Sequence, residues 1–168
     1  MRSLLALLML LTLVGCGYHF PGKSGSLPGG VQSLYIPLFV NRTAKPQLEN
    51  KLSSRVSEVF ARNGNISLVE QRSQAEAVLE GVISSYNSRA ISYDQNDDIS
   101  EYRATVTVEA KLRQVEDGHL LWSGIVTWDE NYIAADDKGT QSDLEDEAID
   151  EIGLRLSEEL LYRLLDDF

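Results

Sequence analysis

Cysteine occurs once in the 168 residues, at Cys16, so no disulfide can form within the chain. Histidine occurs twice, at His19 and His119, which leaves neither a histidine-based catalytic triad nor a histidine zinc cluster available. Basic residues are scarce, 15 Lys and Arg against 26 Asp and Glu for a net charge of −11. Neutralising phosphates along a nucleic acid needs clustered cations, so the balance disfavours nucleic-acid binding, and none is expected; it also disfavours electrostatic docking on an anionic bilayer. No phosphate-cradling glycine loop, nucleophile elbow or dinucleotide fingerprint occurs. The reading is a non-enzyme, with no catalytic residue, metal or cofactor expected.

Long apolar runs are also lacking, with one exception at residues 4–14. Arg2 precedes it and the small Gly15 follows, which is the pattern of a secretory signal peptide and too short to span a bilayer. Its end, Leu13-Val14-Gly15-Cys16, resembles the lipobox of bacterial lipoproteins. That resemblance implies cleavage before Cys16 and acylation of its sulfur and new amino terminus. Each buried methylene contributes ~0.8 kcal/mol, so two or three acyl chains hold a domain on a membrane essentially permanently. Gly17 after the cysteine, in place of an aspartate, resembles the outer-membrane sorting default of enteric lipoproteins. The expected division is a signal peptide at 1–15, a lipidated cysteine with a Gly/Ser/Pro-rich tether at 16–30, and one domain at 31–168.

Within the domain, residues 31–40 read as a strand with Leu34, Ile36, Leu38 and Val40 on one face and Tyr35 and Phe39 on the other, Pro37 marking an edge or a bulge. Leu48, Leu52, Val56, Val59 and Phe60 recur at helical spacing before Asn63-Gly64. A short apolar piece at 66–69 is a candidate minor strand, and residues 77–93 form a long strand interrupted at Gly81. Residues 102–115 alternate strictly, Val106, Val108, Ala110 and Leu112 against Thr105, Thr107, Glu109, Lys111 and Arg113. Asp117-Gly118 then signals a hairpin to the strand at 119–132, which carries Trp122 and Trp128 on its apolar face. Ser142 and Glu145 have capping-box spacing ahead of Leu144, Ala148, Ile149, Ile152, Leu156, Leu160 and Leu164. The fold class expected is α+β, a two-layer sandwich of two amphipathic helices on one face of a mostly antiparallel, roughly four-stranded sheet.

Charge is uneven: residues 129–168 hold 14 acidic and 3 basic residues. This is either a solvated helix face or a surface for a basic partner. The acidic stretch Asp94-Gln95-Asn96-Asp97-Asp98 lacks the glycine and distal glutamate of a calcium loop, and the adjacent Asp136 and Asp137 read as solvated surface charges.

Cys16-Gly17-Tyr18-His19-Phe20 followed by Leu34-Tyr35-Ile36-Pro37-Leu38-Phe39-Val40-Asn41-Arg42-Thr43, with an early helix, three long strands and a final helix, resembles the LptE-type lipopolysaccharide-assembly lipoproteins over nearly the whole mature chain. The resemblance implies an outer-membrane lipoprotein on the periplasmic side or within the lumen of a large LptD-type β-barrel that exports lipopolysaccharide. Its role there would be to plug the barrel, assist its assembly and contact lipopolysaccharide in transit. Family members offer basic residues to that anionic lipid, whereas the 94–98 loop here is acidic. The basic candidates are therefore Arg89, Arg103, Lys111 and Arg113, as a strip for lipid A phosphates; the alternative is solvated charge that blunts an exposed sheet face. A generic periplasm-facing envelope lipoprotein, binding cell wall or scaffolding a complex, remains the other reading of the whole chain, ahead of a lipid-anchored hydrolase.

Overall fold

The computed structural model describes residues 26–166. Cys16, Tyr18 and Phe20 lie outside them. Six strands and two long helices follow in chain order: β1 Ser33–Tyr35, β2 Val40–Asn41, α1 Leu48–Ala61, β3 Ser67–Leu68, β4 Ala77–Tyr93, β5 Ile99–Gln114, β6 Leu120–Ile133 and α2 Lys138–Asp166. One sheet runs β3-β1-β4-β5-β6, with β2 also pairing with β4. Among the described residues, no helix is long and apolar enough to cross a membrane.

The sheet thus has six strands, not four, and is mixed. β4, β5 and β6 are antiparallel, as their alternation requires, but β1, β2 and β3 join them through parallel pairings. β1 and β2 come from the stretch read as one strand at 31–40 and β3 from the apolar piece at 66–69; at two or three residues each, they carry no sign of their pairing direction. A strand, a helix and a second strand then return parallel, as a crossover unit does.

The stretch read as one strand at 31–40 is broken at Pro37. Leu34 pairs with Ala77 but Val40 with Val82, so one extra residue sits on this side of the ladder. That bulge reverses the expected faces: Leu34 and Phe39 are buried, while Leu38 and Val40 are exposed. The Phe39 ring enters the core over Gly81, where a Cβ would lie 2.5 Å from it. Gly81 is therefore a seat for Phe39 and stays paired with Ala110; β4 is irregular further on, between Ile83 and Ser85.

α1 buries the five apolar residues expected of it. α2 starts at Lys138, earlier than the Ser142 signal, because Asp137 Oδ1 accepts the Thr140 N–H at 2.9 Å and Gln141 Oε1 accepts the Ala135 N–H at 2.8 Å. Ser142 lies inside the helix, and Glu145 is left for another use. Gly153 lets the helices approach, its Cα facing Leu52 and Arg55 of α1. Both helices, Trp122 and the apolar faces of β4 to β6 share one core. Leu27 and Val31 belong to it too, so the tether as read from sequence ends before Leu27.

The β5–β6 hairpin forms as expected, with a five-residue connection at 115–119 in which only Gly118 takes positive φ and Asp117 Oδ1 accepts the His119 N–H. Between β4 and β5, Asp94 Oδ1 accepts the Asn96 and Asp98 N–H groups. Those bonds hold the exposed Asp94 carboxyl below its usual value and commit it to its own turn.

Candidate functional site at the projecting end of the sheet

β2 ends at Asn41, and the last hydrogen bond on that side runs from the Arg42 N–H to the Ile83 carbonyl at 3.0 Å. Beyond Ile83, β4 continues for ten residues with β5 and β6 alone, so three strands project past the rest of the sheet. Asn41 makes the turn behind this point: its Oδ1 accepts from Thr43 N and Oγ1, and its Nδ2 donates to the Lys45 carbonyl and to Glu49. The Asn41-Arg42-Thr43 signature is thus a structural turn that delivers Lys45 to the projecting strands.

On the helix side of this extension lies a polar aromatic cluster that the sequence reading did not single out. Tyr86 donates its hydroxyl to Glu145 of α2, and Lys45 sits 3.0 Å from the same carboxylate and 5.8 Å above the Tyr86 ring. Tyr102 and Tyr132 stack at 5.5 Å, and the Tyr132 hydroxyl shares a 2.7 Å hydrogen bond with Ser88. Burial, reinforced by Glu145, pushes the Tyr86 hydroxyl well above its ordinary pKa, and burial raises Tyr132 as well. The signal was legible in principle: tyrosines stand at core-facing positions of strands otherwise filled by aliphatics, where a buried hydroxyl needs a partner.

Among the described residues, the opposite face of the sheet carries neither of the two long helices. Arg103, Lys111 and Arg113 lie there, on the face of β5 opposite its buried Ala104, Ala110 and Leu112. Arg89 is the register partner of Arg103, so the two residues stand side by side on one face of the sheet. Arg103 Nε donates to Asn131 at 2.8 Å and lies 3.5 Å from Asp129. Arg89 has no side-chain partner among the described residues. Like charges in direct register cost stability unless an anion comes between them. The exposed Tyr93, Ile99 and Ile133 stand beside the pair near the strand ends, Tyr93 facing Ile99 in register.

Lys111 and Arg113 are elsewhere. Eight residues of extended chain separate Arg103 from Lys111, roughly 26 Å. Lys111 is in register with Glu80, and Arg113 is held 3.5 Å from Glu80 and donates to the Gly118 carbonyl. All four cations share one face, but as two pairs with Thr105, Thr107 and Glu109 between them.

The acidity of α2 is partly spent internally: Lys45 and Lys51 pair with Glu145, Asp146 and Asp150 and bind α2 to the start of α1.

The fold is shared with solved lipoproteins of low sequence identity. An uncharacterized lipoprotein B from Nitrosomonas europaea matches with a TM-score of 0.59 at 15% identity, over 88% of this chain and 90% of that one. The rare lipoprotein B from Shewanella oneidensis matches at 0.54 and 13% identity, over 81% and 96%. A minor lipoprotein from Acinetobacter baumannii matches at 0.51 and 12%, over 81% and 92%. No curated protein matches the chain. The family model for lipopolysaccharide assembly, LptE, matches residues 31–165, and the chain therefore belongs to the LptE family.

Proposed function

We propose that this chain is an outer-membrane lipoprotein, tethered through acylated Cys16, that plugs and supports assembly of the β-barrel exporting lipopolysaccharide and receives the lipid's anionic head on the projecting end of its sheet. The reading rests on family membership and on one observation: Arg89 and Arg103 stand in register on the face that carries neither long helix, Arg89 without a partner among the described residues, beside exposed Tyr93, Ile99 and Ile133. Paired guanidinium groups suit phosphate oxygens, and an apolar margin suits the acyl chains next to them. A barrel lumen is polar, which this face of threonines, serines and paired charges matches.

Of the four basic candidates, Arg89 and Arg103 carry the head-group contact in this proposal, beside the exposed Tyr93, Ile99 and Ile133, with Lys111 and Arg113 as a second, weaker station because Glu80 stands in register with Lys111 and already pairs with Arg113. The test is binding of purified protein to lipopolysaccharide. Reversing Arg89 and Arg103 to glutamate weakens binding at least tenfold, a change of about 1.4 kcal/mol, and reversing Lys111 and Arg113 weakens it less. Unchanged binding in both double variants refutes the lipid-binding assignment.

A further inference from the structure

β6 is the outer strand of the sheet, and much of its outer edge is open. Alternation in an antiparallel pair fixes which residues point outward. The Ala134 N–H donates inward to the Ser100 carbonyl, whereas the Ile125 carbonyl faces outward and accepts from Arg163 of α2 at 3.0 Å. Thr127, Asp129, Asn131 and Ile133 therefore present their backbone N–H and C=O groups outward, and none of these has a hydrogen-bond partner among the described residues. This stretch is about 20 Å long, the length of an ordinary strand.

Along its helix side runs a groove of ≈ 270 Å³ between β6 and the first half of α2. Glu130, Glu147 and Glu151 line it together with Tyr132, Leu144 and Ala148. Glu151 is paired with Arg155, but Glu130 and Glu147 have no ion pair among the described residues. A strand added at the edge would point every second side chain into this groove.

We propose that residues 127–133 of β6 accept an added β-strand from a partner protein, a segment alternating lysine or arginine with β-branched apolar residues. Free ladder groups supply the pairing, and the groove selects cationic side chains. A second copy of this chain is the wrong donor: antiparallel pairing of two such edges sets Glu130 against its own counterpart and brings both sets of groove carboxylates together. The inference goes beyond the barrel reading and stands without it; within that reading the donor is a segment of the barrel chain.

The test uses the mature lipidated protein in detergent and a fluorescent eight-residue peptide alternating lysine with valine. Binding is expected to slow exchange of the Thr127, Asp129, Asn131 and Ile133 amides at least tenfold while the inner amides of β6 stay as they are. The Glu130→Lys/Glu147→Lys protein is expected to bind the peptide at least tenfold more weakly. Asp129→Pro, which removes one outward N–H and no inner one, is expected to do the same with its melting curve as the folding control. No binding, binding without protection of the four amides, or protection of those amides by self-association without peptide overturns the proposal. None of these results depends on whether a barrel co-purifies with the protein.

Discussion

Replacing Gly81 by alanine normally helps a strand, since glycine costs roughly 0.5–1 kcal/mol there relative to alanine. In this sheet it is expected to hurt. The new methyl group would lie 2.5–2.6 Å from three atoms of the Phe39 ring, well inside van der Waals contact. Phe39 has little room to retreat: it is 2% exposed, and its own N–H donates to the buried Ser53 hydroxyl of α1 at 2.8 Å. Overpacking of this kind costs about 1–3 kcal/mol. Set against the gain in chain entropy, Gly81→Ala should lose about 1–2 kcal/mol, or about 3–8 °C in melting temperature for a domain of this size. The assay is urea and thermal unfolding followed by circular dichroism, with an unchanged urea slope showing that stability alone has moved. Phe39→Leu, which removes the ring, should cost stability by itself, but the double variant should be about 1 kcal/mol more stable than the sum of the single changes. A Gly81→Ala protein as stable as the parent, or strictly additive losses, refutes the account of how β2 is seated.

Other consequences follow from the same structure. Tyr86→Phe should cost about 1 kcal/mol at neutral pH, the value of a hydrogen bond to a carboxylate after discounting for partial exposure. The folded state raises the pKa of Tyr86, so this contribution is complete below the ordinary tyrosine value of 10.0 and is lost as pH rises past it. The parent protein should therefore lose stability above pH 10 more steeply than Tyr86→Phe, as urea midpoints across pH 8–11.5 will show. At α2, Asp137→Ala should lower the melting temperature and Ser142→Ala should leave it unchanged, since Asp137 caps the helix and Ser142 lies within it. The Asp137 carboxyl is held below its usual value by the Thr140 side chain and N–H, so its contribution is present at neutral pH and fades as pH falls below about 4.

Periodicity made the long elements legible. β5 alternates without a fault from Ala104 to Leu112, and the buried residues of α1 and α2 are nearly those their spacing marked, with Leu144 only partly covered. The short strands were located, β1 and β2 within the stretch at 31–40 and β3 within the piece at 66–69, but two or three residues carry no sign of pairing direction, so the parallel half of the sheet was not legible. Pro37 announced a bulge, but not that the bulge would hand the core from Leu38 and Val40 to Phe39. Capping was misplaced because Ser142-x-x-Glu145 and Asp137-x-x-Thr140 are both plausible starts and only tertiary contact decides; Glu145 is held by Tyr86 and Lys45, 59 and 100 residues away in sequence. The basic candidates were legible as residue types. Their division into an Arg89–Arg103 pair at the projecting end and a Lys111–Arg113 pair beside Glu80 depends on register, which strand composition does not carry.

The central claim is that this LptE-family chain works inside a lipopolysaccharide-export barrel. The most direct test is affinity purification of the lipidated protein from native outer membranes, with mass spectrometry and quantification of what comes with it. A large β-barrel protein in equimolar amount is the predicted result. Recovery of the chain alone, or with cell-wall material and no barrel, would contradict it.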